Sequence, residues 1–93
     1  MRHRIGFAWY RPEDWQRLLD ISDDRDKMEN TYEEWLDQAE ESFRKARDAG
    51  IDVIKIYINL DELTAWCAEN NLEINSYSRS NFVTHKLQQL FSE

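Results

Sequence analysis

Two short stretches carry the residue types best suited to holding a ligand. The first is Ser76-Tyr77-Ser78-Arg79-Ser80-Asn81, which has the composition of a helix start. Free N–H groups and the positive end of the dipole make helix N-termini favourable for anions. An arginine in the first turn can clamp a carboxylate or phosphate through two parallel hydrogen bonds. Ser78 and Arg79 are therefore candidate ligand-binding residues, although the same pattern fits a plain cap whose arginine pairs with the acidic surface. The second stretch is Trp9-Tyr10-Arg11. If the two strands described below run parallel, Tyr10 and Arg11 lie beside Asn59 and Asp61 at the end of the second strand. Open α/β sheets bind their ligands at such strand ends. Trp9 and Tyr10 equally suit core and rim packing.

Other chemistry-bearing groups do not assemble into a motif. The loop Asp23-Asp24-Arg25-Asp26 suggests calcium, but an EF-hand opened at Asp24 meets Met28, Glu29 and Trp35 where a ligand, a glycine and a glutamate belong. Opened at Asp23 it meets Arg25. Cys67 with His85 or His3 has the elements of a thiol nucleophile. Cys67 however follows Trp66 at a core position of its helix, where a free cysteine behaves as a small inert hydrophobe. The two glycines, Gly6 and Gly50, stand alone, so no phosphate-cradling loop exists. GxSxG, SxxK and HExxH patterns are absent as well. No catalytic residue is assigned, and no metal or cofactor is implied.

The elements that must position these residues are well signalled. Residues 4–10 alternate, with Ile5, Phe7 and Trp9 on one side, and read as a strand. Pro12, Glu13 and Asp14 suit the first turn of a short helix whose buried stripe is Trp15, Leu18 and Leu19. After a charged loop over residues 23–30, Thr31 and Glu34 form a capping box. Tyr32, Trp35, Leu36, Ala39, Phe43 and Ala46 then follow at helical spacing, and Gly50 closes this long helix. Residues 51–58 form the second strand, with Ile54, Ile56 and Ile58 on one face. Asn59 caps a third helix buried through Leu60, Leu63, Trp66 and Cys67. Residues 72–75 are a loop or a short third strand. Ser76 or Ser78 begins the last helix, with Phe82, Val83, Leu87, Leu90 and Phe91 inward.

The expected fold is a single small α+β domain over residues 1–93, in the order β-α-α-β-α-α. Parallel strands would place the long helix on the isoleucine face. A two-stranded sheet is marginal and leaves two open edges. A third strand near Leu72, or self-association that joins edges or helix faces, is therefore expected.

The chain has 93 residues with 12 basic and 19 acidic side chains, a formal net charge of −7. Hydrophobic residues make up 41%, enough for a small core and too many for a disordered chain. The acidity argues against nucleic acid, whose phosphates select clustered lysine and arginine. No apolar run approaches the roughly 20 residues of a membrane span, and residues 5–10 are too short for a signal-peptide core. A lone cysteine and no leader point to a cytoplasmic protein. Charge is uneven: residues 12–42 hold twelve acids against three bases. That face either keeps the protein soluble or meets a basic partner.

The stretches IGFAWYRPEDW, TYEEWLDQAEESFRKA and VIKIYINLDELTAWCAENNLEINSYSRSNF resemble a group of short bacterial proteins to which no activity is attached. The resemblance implies a bacterial cytoplasmic origin and a stand-alone small domain. The functional expectation is an accessory protein binding a protein partner through Glu33, Glu34 and Asp37. By charge analogy, an inhibitor of a basic nuclease is one form this could take. The alternative is a binder of a small anionic ligand, or an enzyme without a sequence signature, at Arg11, Asn59 or Arg79.

Overall fold

The computed structural model describes residues 4–91. His3, weighed above as a partner for Cys67, lies outside them. Strand β1 (Arg4–Trp9) is followed by a 3-10 turn (Pro12–Asp14) and helix α1 (Trp15–Ile21). A second 3-10 turn (Arg25–Lys27) leads to the long helix α2 (Tyr32–Asp48). Strand β2 (Asp52–Tyr57), helix α3 (Leu60–Glu69) and helix α4 (Ser76–Phe91) follow. The β-α-α-β-α-α order and the α+β class are those expected from sequence.

Local signals explain most boundaries. Thr31 Oγ1 accepts from the Glu34 N–H at 3.1 Å, and Asn59 Oδ1 accepts from the Glu62 N–H at 3.0 Å. The carboxylates complete these caps differently from a full capping box. Glu34 accepts from the Thr31 hydroxyl at 3.0 Å, and Glu62 pairs with Lys86 at 3.0 Å. Gly50 ends the α2 region with φ +87°, a conformation that favours glycine. The last helix is capped by Asn75, whose Oδ1 accepts from the Ser78 N–H at 3.1 Å. It therefore starts at Ser76, the earlier of the two expected positions.

The strands pair in parallel, Arg4 opposite Asp52 through Trp9 opposite Tyr57. Residues 72–75 form a loop, the first of the two expected alternatives, and the described residues form a two-stranded sheet. A correction concerns the layers. The long helix covers the face of Phe7 and Trp9, not the isoleucine face. Phe43 meets Phe7 and Trp9 at ring separations of 5.7 and 6.0 Å, and Trp35 meets Trp9 at 5.4 Å. Lys55 shares that face and lays its ammonium over Trp9, 4.3 Å from the ring centroid. A lysine there is compatible with packing because its stem covers apolar surface while the charge reaches its edge.

The opposite face belongs to α4, flanked by α3 and α1. Ile56, Ile58, Leu18, Leu63, Cys67, Phe82 and Val83 form its buried core. Gly6 marks the closest approach, since an added Cβ would stand 2.8 Å from both Ile56 Cδ1 and Val83 Cγ1. Helix α4 runs antiparallel to β1: Arg79 lies by Tyr10, Val83 by Gly6, and Phe91 beneath the Arg4 guanidinium at 3.9 Å. The inward stripe expected on α4 holds for Phe82 and Val83, which are buried, and for Leu87, which is half-buried against the core. Leu90 and Phe91 are exposed because the helix outruns the core beneath it. Among the described residues, no helix is long and apolar enough to cross a membrane.

Candidate functional site

The N-terminal turn of α4 meets the loop before α2 beside the C-terminal end of β1. Ser78 is wholly buried, and its hydroxyl donates to the Glu73 carbonyl at 2.6 Å and accepts from the Asn75 N–H at 2.9 Å. Those bonds fold residues 73–78 into a fixed corner and leave the Ser78 side chain a structural role. Arg79, held by that corner, donates from Nη1 and Nη2 to the two carboxylate oxygens of Asp24, each at 2.8 Å. Its Nη1 also donates to Ser22 Oγ at 3.2 Å. Asp24 Oδ2 further accepts the Ser76 N–H at 3.0 Å. The helix N-terminus and its arginine thus do hold an anion, and that anion is the chain's own Asp24.

The electrostatics follow from this geometry. The hydrogen bonds from Arg79 hold the Asp24 carboxyl below its ordinary pKa, against the opposing effect of burial. Tyr10 packs edge-on against Trp15 and Trp35, with ring separations of 6.1 and 5.2 Å. Burial pushes its phenol up to about 12, partly offset by the positive charge of Arg79. A phenol whose pKa is higher folded than unfolded contributes stability below pH 10 that disappears as pH rises toward 12. Urea unfolding across pH 9–12 is therefore expected to show a loss that Tyr10→Phe lacks, roughly 3 kcal/mol when complete. Parallel curves for the two proteins would show that Tyr10 titrates as an ordinary tyrosine.

An open cleft of about 960 Å³ lies along this corner. Its floor is β1 at Ile5, Gly6 and Ala8; Tyr77, Val83 and Thr84 of α4 form one wall. Lys27, Met28 and Glu29 of the loop, with Trp35, form the other. Of the expected ligand-binding residues, Tyr10 and Arg79 line the cleft and Ser78 supports it. Arg11 does not line it; its guanidinium stacks on Tyr57, 4.9 Å from the ring centroid. Asn59 is occupied as the α3 cap, and Asp61 pairs with Arg17. Arg11 and Arg79 therefore do not converge on one ligand.

The remaining candidates are dispersed. Glu33 and Asp37 are exposed on α2, while Glu34 is engaged with Thr31. Cys67 is buried in the core. His85 is packed against Trp66 and Phe82, with ring separations of 5.8 and 6.4 Å. No group of three or more His, Cys, Asp and Glu side chains is placed to hold a metal among the described residues. Sequence reasoning assigned Asp24 to a weak calcium pattern and missed its pairing with Arg79, because no local signal links residues 55 positions apart. Compared with protein-family models, curated proteins and solved structures, the chain matches none.

Proposed function

We propose that this protein is a small acidic accessory protein that binds a protein partner in the cleft beside β1. The observation that carries this reading is the cleft's make-up: a strand edge beside exposed apolar side chains. Ile5 and Tyr77, 42% and 68% exposed, stand at its floor and wall. Large exposed aromatic and aliphatic side chains beside a concavity are the usual anchors of protein contacts. The acids of residues 12–42, among them Glu33, Glu34 and Asp37, add a field that speeds encounter with a basic partner. Self-association is the competing form of the same reading. A small anionic ligand is less well supported, because Asp24 already engages Arg79 and the Ser76 N–H.

The test is capture from bacterial lysate with the tagged chain at low and moderate salt, beside a Tyr77→Ala bait. Tyr77 is a surface position whose truncation leaves stability within about 0.5 kcal/mol. A stoichiometric protein that weakens with salt, and is recovered several-fold less by the Tyr77→Ala bait, is the expected result. Equal recovery by both baits, or none at either salt, contradicts the proposal.

A further inference from the structure

The sheet is one strand short on the cleft side. Ile58 N–H donates to the Trp9 carbonyl at 3.0 Å, so the backbone of Trp9 turns toward β2. In a parallel ladder alternate residues bond to opposite sides. Ile5, Phe7 and Trp9 therefore serve β2, while the N–H and C=O groups of Gly6 and Ala8 point outward into the cleft. Among the described residues, neither Gly6 nor Ala8 has a backbone partner on that side. The next outward carbonyl, that of Tyr10, accepts the Tyr32 hydroxyl at 3.1 Å, which closes the edge at that end. The strand itself carries no charged residue between Ile5 and Tyr10, whereas β2 carries Asp52 and Lys55.

The position of α4 shows what fits there. A helix 10–12 Å wide spans about two strands spaced roughly 4.8 Å apart. Helix α4 lies over β1 more than over β2, with Val83 against Gly6. Its outer flank, carrying Tyr77 and Thr84, thus overhangs the place of a third strand. We infer that an extended peptide segment of the partner, bearing a lysine or arginine, adds to the Gly6–Ala8 edge as a third strand. This rests on the protein-binding reading above. The cation is favoured by the cleft's unpaired charges among the described residues, Asp23 and Glu29 against Lys27, which leave one negative charge in excess. A second copy joined edge to edge fits less well. It would set two α4 helices over adjacent strands, about 5 Å apart, where helices need 8–10 Å.

The experiment uses displayed random heptapeptides selected on the folded protein, with a selected peptide then synthesised and added at saturation. Amide exchange is read residue by residue by NMR. Without peptide, Phe7 and Trp9 amides are protected and Gly6 and Ala8 amides exchange freely. With peptide, protection at Gly6 and Ala8 is expected to rise at least tenfold. Selected sequences should be rich in lysine or arginine, and Asp23→Asn with Glu29→Gln should weaken binding several-fold and flatten its salt dependence. Ala8→Pro, which deletes the outward N–H and adds a ring at a half-buried position, should lower affinity at least tenfold, the protection of Phe7 and Trp9 showing that β1 remains paired. Peptides that bind without protecting Gly6 and Ala8 overturn strand addition yet leave protein binding intact. A selection that yields no binder overturns it too, even where lysate capture succeeds. Protection that grows with protein concentration alone assigns the edge to a second copy and also overturns it.

Discussion

Arg79→Met is expected to destabilise the protein by about 3 kcal/mol, because it strands a carboxylate that the fold has largely removed from water. The side chains of Arg79 and Asp24 are only 12% and 14% exposed. Both oxygens of Asp24 are engaged by the guanidinium, and one also accepts the Ser76 N–H. Removing the arginine leaves the charge in place without its principal partner. The pairs Arg25–Asp20 and Lys45–Glu41 are much more exposed, and cutting either should cost under about 1 kcal/mol. Urea unfolding of the three variants at pH 7 reads this difference directly. The combined variant Arg79→Met with Asp24→Leu should recover part of the loss, since it removes both charges together.

The pH dependence carries an independent check. Asp24 has a folded pKa below its ordinary value, so its contribution is complete above the usual carboxylate range. It disappears as pH falls through the lowered folded value. The gap between wild type and Arg79→Met should therefore narrow steadily below pH 4. A gap that stays constant to pH 2, or a cost at pH 7 under about 1 kcal/mol, would mean the pair behaves as a solvated surface contact.

What the sequence displayed and what it hid divide along a physical line. Caps and turns depend on neighbours within four residues, so Thr31, Asn59 and Gly50 announced their helix ends correctly. Alternation sorted each strand into two faces. It did not say which helix covers which face, because Ile54 and Ile56 look more like the floor for a long helix than Lys55 does. The aromatic face won through Phe7, Trp9 and Phe43, with Lys55 laid across them. Helical spacing likewise placed Leu90 and Phe91 inward, although both are exposed and Phe91 meets only the Arg4 guanidinium. At the site, the helix-start context left Arg79 either an anion clamp or an arginine paired with the acidic surface, and it is paired with Asp24. The identity of the anion required the loop of Asp24 to be brought across the fold, a contact with no trace in local pattern. The open edge of β1 was anticipated in kind, as the weakness of a two-stranded sheet. Which edge is open, and that α4 overhangs it, depends on packing alone.

Trp35→Ala is expected to cost about 3 kcal/mol and to release α2 before the rest of the fold. Helix α2 contains no residue buried to the level of the core, despite an apolar stripe along its length. Its attachment is concentrated where Trp35 meets Trp9, Tyr10, Trp15 and Tyr32, with ring separations between 5.2 and 5.5 Å. Aromatic pairs of this geometry add about 0.5–1.5 kcal/mol each beyond the area they bury. Phe43 makes two such contacts, at 5.7 and 6.0 Å, so Phe43→Ala should cost less. Amide exchange should show α2 opening in Trp35→Ala while the inward amides of β1 and the amides of α3 remain protected. The Tyr32 hydroxyl reaches Tyr10 from the first turn of α2, so the same release unlatches the closed end of the β1 edge. Affinity for an added strand should then fall in Trp35→Ala, both because Trp35 forms part of the cleft wall and because the end of the edge is unlatched. Uniform exchange across all elements would instead mean that α2 and the sheet open as one cooperative unit.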